Sequence, residues 1–219
     1  MFEILRAGGI VMVPILLCSI VALAIIVERI WTLQEKRVSP RFLVPQIRQW
    51  AKNDQLNSER INALGQHSAL GRILVAGLAR RHENRAAVKE GIEEMGRQVS
   101  HELQRYLTTL GTIAGITPLL GLLGTVLGMI KVFNAISVQG VGNPGILAGG
   151  ISEALITTAT GLSIAIPCLI AHRFFHGKVD ELVVSMEREA LKFLELIEQV
   201  SDQKSLETLS GSQESSQTE

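Results

Sequence analysis

The sequence predicts an all-α membrane protein with three transmembrane helices, the second and third of which extend into a cytoplasmic helical bundle. Three observations carry this prediction. Charge is absent from residues 10–27 and from the stretch between positions 106 and 131, and between Lys131 and His172 the one acidic or basic side chain is Glu153. A helix needs about 20 mainly apolar residues to cross the hydrocarbon core of a bilayer, and each of these stretches is close to that length or above it. The chain is 47% hydrophobic although its charges balance to zero, and its mean hydropathy is +0.28, so charge and apolar surface are segregated along the chain. The charged segments that flank the second and third stretches keep an apolar stripe at helical spacing.

Taken in order, residues 1–9 form a short external head and 10–33 the first span. Pro14 lies near the start of that span, where neighbouring helices can satisfy a freed carbonyl, and Trp31 suits an interfacial anchor. The stretch has no small-x-small processing site and ends in Glu28 and Arg29, so it reads as a retained span with these two residues at the inner boundary. Residues 34–105 are polar and carry Lys and Arg from Lys36 to Arg105, whereas Arg6 is the only Lys or Arg ahead of the first span and 137–145 has no charge. The positive-inside rule therefore places 34–105 in the cytoplasm, with the amino terminus and the 137–145 turn outside.

Within the polar segment, 54–58 and Gly65 read as turns, and Ser68 is positioned to cap a helix over 69–82. Val88, Ile92, Met95, Val99, Leu103 and Tyr106 then recur in fours and threes and lead without a breaker into the second span, 106–136. The external turn 137–145 ends in Asn143, a good helix cap, and Pro144, a good first helical residue. The third span, 146–173, continues as a cytoplasmic helix over 174–200 whose stripe is Val179, Leu182, Met186, Ala190, Phe193, Ile197 and Val200. Two such stripes can bury one another in an antiparallel bundle. Residues 201–219, rich in Ser, Gln, Glu and Thr, have the composition of a disordered tail.

Glu153 is the residue most suited to chemistry. A charged side chain at the bilayer centre costs roughly 2.5–3.5 kcal/mol on insertion scales. Removing a carboxyl from water favours its neutral form, so a carboxyl at this depth is suited to taking up and releasing a proton. At 1.5 Å per residue, Glu153 lies about 10 Å below Ile146, Thr158 about 18 Å below the same level, and Thr125 about 16 Å below Ile136. Because the turn is short, Thr125, Thr157, Thr158 and Glu153 fall in one band inside the membrane, with Thr157 one turn from Glu153. A threonine hydroxyl in a helix often does no more than bond the carbonyl one turn back.

Small residues form a second set. Gly111 and Gly115, and Gly124 and Gly128, have the small-xxx-small spacing that permits close helix packing, and Gly149 and Gly161 lie on the third span. Pro118 and Pro167 are positioned to bend their helices. Lys131, near the outer end of the second span, reads as an anchor that snorkels to the headgroups. Cys18 and Cys168 read as packing thiols, and His172 and His176 as interfacial residues. No metal-ligand spacing, nucleophile triad, phosphate loop or dinucleotide motif is present, so no metal, no cofactor and no enzymatic activity are expected. The basic loop fits topology and membrane lipids rather than nucleic acid.

Two segments resemble the ExbB/TolQ/MotA proton-channel family. Gly124-Thr125-Val126-Leu127-Gly128 resembles its GTVxG element. Residues 151–162, with Glu153-Ala154-Leu155, Thr158-Ala159 and Gly161-Leu162, resemble its I-x-EAL-x-x-TA-x-GL element, and Ala165-Ile166-Pro167 also fits. The three-span layout excludes the four-span MotA stators; within the family the resemblance is read as most like ExbB, while TolQ shares both motifs. The resemblance implies an inner-membrane homo-oligomer, a pentamer, around a pore that holds a dimeric partner of the ExbD/TolR type. It further implies that proton-motive force drives a TonB- or TolA-like protein, and that Glu153, Thr125 and Thr158 line the proton path; Thr157 is added by helical geometry. A membrane scaffold in which Glu153 only bonds helices together, and a stand-alone ion channel, are the alternatives from other classes.

Overall fold

The computed structural model describes residues 8–40, 42–52, 58–81, 83–140 and 144–215. Among them the chain is α-helical, with α1 Met12–Thr32, α2 Glu35–Val38, α3 Leu43–Lys52, α4 Ser58–His67, α5 Ala69–Ala79, α6 Arg85–Gln104, α7 Leu107–Gln139 and α8 Pro144–Ser215. Three helical stretches, Met12–Thr32, Arg85–Val138 and Leu147–Ile197, are long and apolar enough to cross a membrane. Contacts divide the chain into two units, one of Met1–Trp31 with Arg105–Gly177, the other of Thr32–Gln104 with Lys178–Glu219.

The first unit holds α1, α7 and residues 144–177 of α8. Its interior is narrow. Met12, Ile15, Ala22, Ile25 and Arg29 are buried on one face of α1, and Leu110, Ile113, Ala114 and Thr117 are buried on α7. The remaining faces are apolar and open, with Leu23, Leu119, Phe133, Leu155 and Ile170 all more than 60% exposed. Soluble proteins rarely leave a contiguous apolar surface of this extent in water. Lipid, or other protein inside lipid, is the solvent for which such helices are built.

The second unit holds α2 to α6 and residues 178–215 of α8. Ser68 opens α5, its side chain accepting a hydrogen bond from the Gly71 N–H at 2.9 Å, as its position ahead of an apolar run predicts. Val88, Val99 and Leu103 of α6 are buried, as are Val179, Leu182, Met186, Ala190 and Phe193 of α8. α5 touches both stripes at Gly77. A Cβ on Gly77 would lie 2.9 Å from Phe193 and 3.0 Å from Ile92, so the absence of a side chain lets α5 press against both. Beyond that wedge a cavity of about 640 Å³ opens, lined by Ile73, Ile92, Met186, Ala190 and Leu194 among others. Arg72 reaches from α5 to Glu102 of α6 at 2.6 Å.

The structure departs from the sequence-based expectations at two places. The helical pattern leading to the second span is interrupted: α6 ends at Gln104, and Tyr106 is left-handed at φ 64°. Neither Gly nor Pro marks the break. The Arg29 and Arg105 guanidinium groups lie 5.2 and 4.9 Å from the centre of the Tyr106 ring, a cation–π arrangement that favours this conformation of a residue otherwise reluctant to adopt it. Arg29, near the end of α1, is 3% exposed and also pairs with Glu28 at 2.7 Å. Finally, α8 extends to Ser215, into the stretch whose composition reads as a disordered tail; residues 201–210 contain no Gly or Pro, so nothing in their covalent geometry stops a helix. The expected cap Asn143 and most of the expected turn at 54–58 lie outside the described residues.

Candidate proton site between the apolar helices

α7 and α8 run antiparallel and approach closely because their facing positions are small. A Cβ on Gly121 would lie 3.0 Å from the Thr158 Cα, and one on Gly124 would overlap the Thr157 side chain. Gly128 faces Ala154, and Gly161 faces the Thr117 carbonyl, each leaving only 2.8 Å for a Cβ. Gly111 faces the His172 ring, whose Nε2 would be 2.8 Å from an added Cβ. Gly115 and Gly149 have no neighbour within 4 Å of that position. The glycines therefore sort into a face turned toward the partner helix and two positions open at the surface of this chain.

The threonines on this seam differ in what their hydroxyls do. Thr157 is 1% exposed and donates to the Ala154 carbonyl at 2.8 Å, with the Glu153 carbonyl at 3.1 Å. Thr125 donates within α7 to the Leu122 carbonyl at 2.6 Å. Both make the local helix bond that carries no functional signal of its own. Thr158 instead donates across the interface to the Gly121 carbonyl at 2.9 Å. That bond forms because Gly121 has no side chain to keep the helices apart.

Glu153 sits one turn before Thr157, with its side chain 22% exposed, and its carboxylate accepts from the Lys131 ammonium at 2.5 Å. Lys131 belongs to α7, so the pair joins the two helices. Gly9, just ahead of α1, completes the surroundings: at φ +64°, its Cα comes so near that a Cβ would overlap the carboxyl oxygen. All three apolar segments thus contribute to the site of one carboxylate. Thr157 adjoins Glu153 along α8 and Thr158 follows it, while the hydroxyl of Thr125 is turned to its own helix. Lys131, which reads in the sequence as a headgroup anchor, is instead paired with Glu153. The signal was present, since Lys131 lies about 8 Å below Ile136 by the same rise that puts Glu153 about 10 Å below Ile146. Gly9 carried no comparable signal, because its proximity arises from packing of α1.

A carboxylate between glycine-rich apolar helices is the arrangement expected of a proton-handling membrane protein. Comparison with protein families matches residues 65–188 to the MotA/TolQ/ExbB proton channel family. The chain belongs to this family. The match takes in Gly124 to Gly128 as well as Glu153 to Gly161. An ExbB-like biopolymer transport protein of Synechocystis sp. (ExbB-like 1) is 37% identical over 169 residues, covering 76% of this chain and 66% of the relative. A second one from Synechocystis sp. (ExbB-like 3) is 33% identical, covering 78% of this chain and 82% of its own length. The Tol-Pal system protein TolQ of Pseudomonas aeruginosa is 37% identical over 101 residues, covering 44% of each chain. The chain thus spans just under two thirds, 66%, of the first of these relatives. Family membership and the three apolar helices make it a membrane protein of the proton-channel class.

Proposed function

We propose that the chain is an inner-membrane subunit of a proton-motive-force-driven energy transducer of the ExbB type. It works with an ExbD-like partner and powers TonB-dependent transport across the outer membrane. The observation that carries this reading is Glu153, a carboxylate on an apolar helix, 22% exposed and bonded to a second helix. In this reading protons reach Glu153 from the outer side and leave toward the cytoplasm past Thr157, Thr158 and Thr125. The chains assemble as a pentamer around the partner dimer, with amino termini in the periplasm and carboxyl termini in the cytoplasm. Gly115 and Gly149, open in the single chain, lie where a neighbouring helix of that assembly would come close.

Service in the Tol-Pal system is the second reading, favoured by the similarity to TolQ. Both share one proton chemistry and differ in partner. Co-purification separates them: an ExbD- and TonB-like set supports the first, a TolR- and TolA-like set the second. The proton reading itself is tested by Glu153→Gln, which keeps shape and removes the titrating group. The substitution should preserve assembly with the partner and abolish proton-driven work. Retention of both would leave Glu153 a structural helix contact and the chain a scaffold.

A further inference from the structure

The ion pair of Glu153 is supplied by this chain's own second span. Lys131 lies within α7, its side chain 58% exposed, and it meets Glu153 at 2.5 Å. Among the described residues no other charged group contacts the carboxylate. The segment ahead of α1 presents Gly9 to it, and the neighbours on α8 are Ser152, Ala154 and Thr157, all uncharged. The pair is asymmetric, since the carboxylate is largely enclosed while the ammonium sits on a long stem with a path to the surface. An ammonium in apolar surroundings keeps a low-energy position only beside an anion or at the headgroups. When the anion disappears, the headgroups are what remains.

We propose that Lys131 is a positioning residue for proton transfer at Glu153, a tethered counter-ion that seats the empty carboxylate and is released by each proton that arrives. The inference rests on the reading of Glu153 as the proton carrier. The step balances without a co-reactant. A proton from the outer aqueous phase adds to one carboxylate oxygen, the ion pair with the intact ammonium breaks, and Lys131 swings toward the outer boundary. When the proton leaves inward, the carboxylate regains its charge and draws Lys131 back. Because Lys131 and Glu153 belong to different helices, each proton loosens and re-ties the outer ends of α7 and α8. Gly9 fits the same device, as its backbone comes close to Oε1, the same carboxylate oxygen that Lys131 bonds, and crowds the site of the pair.

Two measurements on the full chain with its partner, reconstituted in vesicles, test the proposal. The first is the rate at which an amine-acylating reagent modifies Lys131 at one fixed pH, read by mass spectrometry. Glu153→Gln imitates the protonated carboxyl and should raise that rate about tenfold, the factor that corresponds to about 1.4 kcal/mol of pairing. Equal rates overturn the proposal without any lysine variant having to fold. The second is the pH profile of proton entry. Lys131→Met removes the counter-ion and should displace that profile, whereas Lys131→Arg should retain the wild-type profile. An unchanged profile in Lys131→Met overturns the coupling even if the acylation result holds. Proton entry that survives in Glu153→Gln instead overturns the underlying reading of Glu153, which separates the two failures.

Discussion

Thr125 and Thr158 have the same chemistry and opposite partners. The Thr158 hydroxyl crosses from α8 to the Gly121 carbonyl, whereas the Thr125 hydroxyl stays on α7 with Leu122. Interhelical hydrogen bonds in membranes average about 0.6 kcal/mol. Thr158→Val should therefore weaken the α7–α8 hairpin by about that amount in denaturation from mixed micelles, while Thr125→Val should leave hairpin stability unchanged within error. If Thr125 serves the proton path, Thr125→Val reduces proton entry without that loss of stability. At this scale residue types are legible in the sequence and their partners are not. Glu153 stands out because it interrupts an apolar run. The pairing of Lys131 depends on which faces α7 and α8 turn to each other, and the glycine pattern constrains that only after the helices are aligned.

Helices announce themselves where the chain carries its own start signal or period. α5 begins at Ser68 because a capping side chain precedes an apolar run, and Ser68→Ala should cost about 1 kcal/mol. Phe193, fully buried against Gly77, lies on the stripe that periodicity reveals, and Phe193→Ala should cost more, roughly 3–5 kcal/mol. The order of these two losses in thermal denaturation tests whether the second unit depends on packing more than on helix starts. The interruption at Tyr106 is different in kind. Local sequence favours continuing the helix, and the break is held from outside by the guanidinium group of Arg29, distant in sequence. Tyr106→Gly loses the ring contact but adopts the left-handed conformation freely, whereas Tyr106→Ala loses the contact and keeps the strain. The alanine variant should be the less stable of the two, by about 1 kcal/mol, in chemical denaturation followed by circular dichroism.

The largest feature of the whole molecule is the contrast between its two units in what they offer a solvent. In the apolar 18-residue windows of the three membrane-length stretches only 22%, 33% and 28% is buried within the chain, so most of the surface of those windows must be covered by lipid or by other chains. In the second unit, the stripes of α6 and α8 turn inward and charge occupies exposed positions such as Lys89, Glu90, Glu93 and Glu94, while Phe42, Val184 and Leu191 remain exposed. Hydrophobicity alone gives the spans but no direction; direction rests on the Lys and Arg of residues 34–105 against the uncharged 137–145 turn. The two candidate sides can be read with cysteine reporters in a Cys18→Ala, Cys168→Ala background. Val138, 82% exposed at the 137–145 end of α7, becomes one reporter as Val138→Cys, and exposed Glu90 of α6 becomes the other as Glu90→Cys. A membrane-impermeant thiol reagent should label position 138 in cells whose outer membrane alone is opened, and position 90 only after the inner membrane is breached. The reverse pattern would turn the chain over. Glu153, which lies nearer the 137–145 end of the hairpin, would then receive protons from the cytoplasmic side, and the proposed direction of coupling would be lost with the topology.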